Sequence, residues 1–267
     1  MKEIYEQIQN FWDQKPCGTT HIARPAGSRE YFIEFDRYYE SMYPYLLPFL
    51  EVETMRDKWV LEIGLGSGFT VSRFAEVAKV CVGLDLSRST LWLNQARNKH
   101  FDAGVNLVQA SAIHIPMPDN TFDVVVSIGC LHHIPDIQQA VSEIYRVLKP
   151  GGIFKGMVYN RNSCRFRVYI PLVRRFSRRW QGKDWQACVN EMYESSGNPY
   201  GTVYSQKEIM TLFDQFTELT FRVENFTGEE LLYKLGRFVP RRFWLATLGK
   251  IAGLDLYFAA KAGKSVG

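Results

Sequence analysis

No stretch of the chain approaches the roughly 18 consecutive apolar residues that a membrane-spanning helix needs, so an integral membrane protein built on spanning helices is excluded. Cysteine is sparse and scattered: Cys17, Cys81, Cys130, Cys164 and Cys188 make five, with no Cys-x-x-Cys pair. That spacing supports neither a disulfide framework nor a structural zinc site, and no metal is expected. The thiols read as reduced, and mostly as core fillers, in a cytoplasmic protein. The opening residues, Met1-Lys2-Glu3-Ile4-Tyr5-Glu6-Gln7, lack the apolar core of a secretory signal. There is no internal repeat or low-complexity tract, and no large charge excess: 32 basic residues against 28 acidic ones give a net charge of +4. The 267 residues suit one large α/β domain, or one domain with a modest insertion.

What is present begins with helical spacing. Ile4, Ile8, Phe11 and Trp12 recur as one helix face would place them, and Lys15-Pro16-Cys17-Gly18 reads as a turn. A second helical stretch runs from about Ser28 to Phe49, with Pro44 and Pro48 interrupting it. Residues 1–55 are read as a helical unit apart from residues 56–267. From Lys58 short apolar runs alternate with helices. Strands are predicted at 59–63, 80–85, 105–109, 123–128, 152–158, 219–226 and 254–260, and a helix at 135–148. This is the pattern of a parallel sheet covered on both faces. Residues 161–204 and 227–250 break the rhythm and read as helical insertions on the substrate side.

The chemistry concentrates after the first strand. Val60-Leu61-Glu62-Ile63-Gly64-Leu65-Gly66-Ser67-Gly68-Phe69 carries a strand into a Gly-x-Gly-x-Gly turn and then a helix. Such glycines let a ligand approach the backbone, and the helix start adds oriented N–H groups. Asp85 ends the second strand 19 residues beyond Gly66, a placement that suits a ribose diol. Phe69 stands where a dinucleotide fold would carry its third glycine, which argues against a pyrophosphate.

The glycines at 64, 66 and 68 resemble motif I of the class I S-adenosylmethionine-dependent methyltransferases. Asp119-Asn120-Thr121-Phe122-Asp123, Leu131-His132-His133-Ile134-Pro135-Asp136 and Tyr145-Arg146-Val147-Leu148-Lys149-Pro150-Gly151-Gly152 extend the resemblance to the type 11 small-molecule branch, over residues 58–160. The resemblance implies a Rossmann-like, doubly wound α/β fold. Its seven-stranded sheet would have the order 3-2-1-4-5-7-6 with the last strand antiparallel, an N-terminal helical lid and a helical insertion after strand 5.

The resemblance also implies S-adenosylmethionine as cofactor. Gly64, Leu65, Gly66 and Gly68 would line its methionine and ribose, with Glu62 supporting the amino group. Asp85 would take the ribose hydroxyls, Leu86 the adenine face, and Ser111 and Ala112 the adenine edge. Ser127, Ile128 and Gly129 would face the methionine end. His132 and His133 are the candidate acid–base groups, at the sheet edge where open α/β folds bind ligands. Tyr31, Arg37 and Tyr38 of the lid, with Asn160 after the fifth strand, are the substrate-side candidates. The expected activity is methyl transfer to an oxygen, nitrogen, carbon or sulfur nucleophile of a small molecule, lipophilic or anionic. Two readings compete with it: methylation of nucleic acid or protein, and a non-catalytic, membrane-associated binding protein on the same fold. Base-amino methyltransferases typically carry an (Asp/Asn)-Pro-Pro-(Tyr/Phe) element after the fourth strand. Ser127-Ile128-Gly129-Cys130 stands there instead, so no nucleic-acid partner is expected.

One segment stands apart in charge. Residues 161–183 hold eight basic residues, no acidic one, and interleaved Phe166, Tyr169, Ile170, Leu172, Val173, Phe176 and Trp180. Read as a helix broken near Pro171, it is basic and amphipathic, a composition suited to a solvated face on an active-site cover, to peripheral contact with an anionic membrane, to nucleic-acid phosphates or to closing over an anionic small substrate.

Overall fold

The short apolar runs after residue 58 pair into one sheet in a computed structural model, which describes residues 2–19, 22–194, 197–228 and 238–264. The strands are β1 (Trp59–Ile63), β2 (Val80–Asp85), β3 (Asn106–Gln109), β4 (Phe122–Ile128), β5 (Leu148–Tyr159), β6 (Phe216–Glu224) and β7 (Asp255–Ala262). They lie in the order β3-β2-β1-β4-β5-β7-β6. The first five pair in parallel, and β7 runs antiparallel to both β5 and β6. The fold is the seven-stranded one expected.

Alternation along the central strands decides which layer each side chain enters. Leu61, Ile63 and Val125 face one core with Ile137, Ala140, Val141 and Ile144 of α6 (Ile137–Val147) and Ile209 of α9 (Gln206–Leu212). Val60, Val124 and Val126 face the other. There they meet α2 (Arg29–Met42), α3 (Leu46–Leu50), α4 (Phe69–Ala75) and α5 (Arg88–Phe101). Some boundaries differ from those predicted. α6 starts at Ile137 because the Asp136 side chain accepts from the Gln139 N–H and caps it. β5 starts at Leu148, before the Pro-Gly-Gly run, and a register irregularity against β4 absorbs those residues.

The N-terminal residues form α1 (Lys2–Gln14) and α2, and Ser28 caps α2 by accepting from the Tyr31 N–H. Between β5 and β6, a turn of π-helix at Arg165–Tyr169 leads into α7 (Ile170–Phe176) and then α8 (Trp185–Tyr193). Pro171 falls in the first turn of α7, and the backbone stays helical through Tyr169 and Ile170 rather than breaking there. Ser205 and Glu208 form the capping box of α9. Between β6 and β7 lie α10 (Arg241–Ala246) and α11 (Gly249–Ala252). Residues 229–237 of the 227–250 insertion lie outside the described residues. No described helix is long and apolar enough to cross a membrane.

Candidate functional site

The turn between β1 and α4 is shaped by its glycines. Gly64, Gly66 and Gly68 have φ of +81°, +51° and +80°, a region L side chains rarely enter. A Cβ on Gly64 would lie 2.4 Å from the Cys130 Cβ, and one on Gly68 2.2 Å from Asn94 Oδ1. The loop is clamped from behind. Asn94 Nδ2 donates to the Gly66 carbonyl at 3.0 Å and Arg97 Nε to the Ser67 carbonyl at 2.9 Å. Ser67 Oγ donates to the Cys17 carbonyl at 2.9 Å and lies 2.7 Å from the Tyr31 hydroxyl.

This loop forms part of the wall of a cavity of about 350 Å³ at the C-terminal edge of the sheet. Asp85 stands beside it, accepting from Leu65 N–H at 2.8 Å through Oδ2 and from Ser87 N–H at 2.9 Å through Oδ1. Burial pushes its carboxyl up to about 6, against the opposing pull of those amides. Two carboxylate oxygens carry about four acceptor sites, so two amides leave capacity for a diol. Glu62 is buried on the same wall. Thr70 donates to its Oε1, while Oε2 has no partner. Burial pushes this carboxyl up to about 8. An orphaned carboxylate oxygen on a cavity wall suits a cationic group such as an α-ammonium, so the residues present fit the cofactor that the sequence implies.

Leu86, Ser111 and Ala112 line the cavity beyond Asp85, and Ile128 and Gly129 line it after β4, together with Gly64, Leu65 and Gly66. Two expected contacts lie off the wall. Gly68 sits behind the loop as the N-cap of α4, and Ser127 is fully buried with Oγ donating to the Ile63 carbonyl at 3.1 Å.

Much of the rest of the wall is aromatic. Trp12 comes from α1, Phe35, Tyr38 and Tyr39 from α2, Tyr43 just after it, and Tyr159 and Tyr193 from β5 and α8. No lysine or arginine among the described residues lines the wall, whereas Glu62, Asp85 and Glu194 do. An anionic acceptor, one of the expected classes, would find no counter-charge there.

Of the substrate-side candidates, Tyr38 lines the cavity and three do not. Tyr31 is fully buried against Ser67, and Arg37 is exposed on the outer side of α2. Asn160 is spent on a turn, donating to the Gly253 carbonyl at 2.9 Å and accepting from the Asn162 N–H at 2.9 Å.

The two histidines part company. His133 lines the cavity, with Nδ1 2.9 Å from the Tyr200 carbonyl and Nε2 3.2 Å from Glu194 Oε1. Both ring nitrogens thus face oxygen atoms. Tyr159 also donates to Glu194 Oε1. Burial pushes the Glu194 carboxyl up, but the bond to His133, its charge and the Tyr159 hydroxyl together hold it below the usual range. His132 is fully buried off the wall, its ring 4.0 Å from that of Tyr159 and 4.3 Å from that of His133. Burial, and then His133, drive it well below the ordinary imidazole range, and neither ring nitrogen has a partner. Hidden and neutral, it is not placed to take a proton from a substrate.

Sequence reasoning missed Glu194, Tyr159 and Tyr193, and also Asp13. The Asp13 carboxylate accepts from Ser87 Oγ at 2.7 Å and its carbonyl from Ser89 Oγ at 2.7 Å, tying the end of α1 to the start of α5. Nothing in the local sequence of these residues signals the cavity. The wall residues Tyr5, Ile8 and Trp12 do carry a signal, a three-then-four spacing on one face of α1.

A family model described as a methyltransferase domain matches residues 61–155. A probable S-adenosylmethionine-dependent methyltransferase of Mycolicibacterium smegmatis is 37% identical over 102 residues, 38% of each chain. A fatty-acid O-methyltransferase of the same organism is 33% identical over 121 residues, 45% of this chain and 43% of that one. The matches thus span about two fifths of these relatives' lengths. Among solved structures, Haemonchus contortus phosphoethanolamine N-methyltransferase 2, in complex with phosphomonomethylethanolamine and S-adenosylhomocysteine, superimposes with a TM-score of 0.60. It is 20% identical, and the superposition covers 96% of this chain and 60% of that one.

Proposed function

We propose that this chain, which carries a class I S-adenosylmethionine-dependent methyltransferase domain, methylates a small neutral or cationic acceptor with an aromatic or apolar body. The carrying observation is the cavity itself. It is walled by the glycine loop with the Glu62 and Asp85 carboxyls and by nine phenylalanine, tyrosine and tryptophan rings, and no lysine or arginine among the described residues lines it. S-adenosylmethionine supplies an electrophilic sulfonium methyl group, so alignment and exclusion of water are the protein's main tasks. Asp85 would hold the ribose hydroxyls, the orphaned Oε2 of Glu62 the ammonium, and Leu86, Ser111 and Ala112 the adenine. Trp12, Tyr38, Tyr39 and Tyr43 would pack the acceptor and keep water out. Aromatic faces also favour a positive charge. Where the nucleophile carries a proton, the His133–Glu194 pair, rather than a lone imidazole, is the group placed to receive it.

This reading favours a small acceptor over nucleic acid or protein, because α1 and α2 supply much of the wall. The test is release of S-adenosylhomocysteine against a panel of neutral, cationic and anionic small acceptors, with tRNA and a protein mixture alongside. Turnover is expected with neutral or cationic aromatic and aliphatic acceptors, and His133→Ala should lower kcat by about a hundredfold, the lower end of general acid–base effects. Turnover confined to macromolecules or to anionic acceptors would overturn the reading. No turnover with any acceptor would favour the non-catalytic one.

The basic segment supports a peripheral membrane location only in part. Arg179 and Lys183 both pair with Glu191, and Arg161 pairs with Glu208. Arg174 donates to the Lys183 carbonyl at 2.9 Å. What faces outward is an apolar stripe four residues apart, Val168, Leu172 and Phe176 (75% exposed), with Arg175 stacked over the Phe176 ring. Insertion of that stripe into an anionic interface predicts cosedimentation with phosphatidylglycerol vesicles. It also predicts loss of binding in Phe176→Glu and little binding to phosphatidylcholine alone. Equal, negligible binding to both vesicles would remove the membrane from the account.

A further inference from the structure

Three side chains at the acceptor end of the cavity have a composition that proton transfer alone does not need. His132, His133 and Glu194 each offer one ligand atom, and these atoms all lie within 4.8 Å of one another. We propose that they form a binding site for a first-row divalent cation, zinc being the simplest occupant. The proposal rests on the methyl-transfer reading and narrows it, because a divalent charge there disfavours a cationic acceptor and selects a neutral hydroxyl compound.

Four observations carry it. The first is the donor set. Two imidazoles and one carboxylate suit zinc, iron(II) or cobalt(II), and three protein ligands leave a position for substrate. The second is His132. It is fully buried with both ring nitrogens lacking any partner, although buried polar atoms are seldom left unsatisfied. A cation shared with His133 would give one of those nitrogens its partner. The third is the orientation of His133. Its Nδ1 faces the Tyr200 carbonyl at 2.9 Å, which turns Nε2 toward Glu194. A ring N–H on a backbone carbonyl is the usual support behind a metal-ligating histidine. The fourth is Glu194, steadied by the Tyr159 hydroxyl.

The distances are compatible. Ligands at 2.0–2.1 Å from a tetrahedral zinc lie roughly 3.3 Å from one another, close to the 3.2 Å between His133 Nε2 and Glu194 Oε1. His132 would have to close by at most about 1.5 Å from the 4.8 Å limit. His133 and Glu194 both line the cavity, so an open coordination position would face the acceptor.

There the cation would act as a Lewis acid. An acceptor hydroxyl bound to it releases its proton to solvent more readily. The oxygen then forms its bond to the methyl carbon as the carbon–sulfur bond breaks and leaves its electron pair on sulfur. With a cation in place, His133 and Glu194 serve as its ligands and the proton is lost at the metal instead.

The test uses the full chain stripped with EDTA and titrated with zinc by calorimetry and with cobalt(II) by visible absorption. S-adenosylhomocysteine binding is measured on the same samples. Saturable binding near one ion per chain is expected, with cobalt showing the intense visible bands of a low-coordinate nitrogen–oxygen site. His132→Ala and Glu194→Gln should each weaken metal binding by at least about tenfold. Glu194→Gln retains side-chain volume and covers the case in which the buried His132 variant does not fold. No saturable binding, or equal binding by wild type and Glu194→Gln, overturns the site. If S-adenosylhomocysteine still binds in that case, the cofactor reading survives. Metal binding without S-adenosylhomocysteine binding would keep the site and remove the cofactor reading.

Discussion

Replacing Asp85 with alanine should raise the dissociation constant for S-adenosylmethionine at least about a hundredfold in a calorimetric titration. Two ribose hydroxyls on an ionised carboxylate contribute about 1.5–3 kcal/mol each, and about 1.4 kcal/mol is a factor of ten. The loss also frees the Leu65 and Ser87 amides that Asp85 holds, so the glycine loop loosens as well. pH tests the same residue without mutation. Burial raises the Asp85 carboxyl to about 6, so the oxygens proposed to accept the diol become protonated as pH falls through that value. Affinity should therefore drop below about pH 6 in wild type and show no such step in Asp85→Ala. The stability of the unliganded protein has the opposite slope. A carboxyl raised by folding costs stability as pH climbs from its unfolded value to its folded one. For Asp85 that span is from 3.8 to about 6, and for Glu62 from 4.5 to about 8. Affinity for the cofactor unchanged in Asp85→Ala would remove this residue from the site.

Arg97→Met lowers the melting temperature by roughly 6–12 °C. This guanidinium, on a side chain only 4% exposed, forks onto Asp36 at 2.5 and 3.1 Å, and its Nε holds the Ser67 carbonyl. It also lies 4.7 Å from the centre of the Phe32 ring. One side chain therefore joins α5, α2 and the glycine loop. Removing it leaves Asp36 only the more distant Arg73 at 3.9 Å and costs about 3 kcal/mol, at 2–4 °C per kcal/mol for a chain of this size. Methionine keeps the apolar stem in contact with Phe32, so the loss reports the fork rather than the packing. Cofactor affinity should fall along with stability. A shift below about 2 °C in differential scanning calorimetry would mean that the latch contributes little.

These residues were not equally legible in the chain. The glycine loop, Glu62 and Asp85 could be read because each is defined by its own strand end, and strand ends are set locally by apolar runs and turns. Asp123 and Lys149, which bond each other at 2.8 Å, could not be paired in advance. Glu194 was invisible for the same reason: a helix inserted after β5 carries it to His133, and no local pattern encodes that approach. Arg37 was misplaced by a readable error. On a helix that buries Tyr31 and Phe35 and turns Tyr39 to the cavity, a residue two positions after Phe35 points about 200° away. Tyr38, three positions on, returns to the same side, and it is the one that lines the cavity. Asn160 was misjudged because polar residues at strand ends serve turns as readily as ligands, and here Gly253 and Asn162 use its amide up.

The sheet order has a consequence for how the protein is made. β7 lies between β5 and β6, although it follows both in the chain. During synthesis β6 can pair with nothing until residues 255–262 have emerged, and β5 keeps one edge open for equally long. A nascent or truncated chain ending before Asp255 thus presents two bare edges, the state in which strands most readily join those of another molecule. The quality-control burden of this fold falls on its last strand, more than 160 residues downstream of the glycine loop.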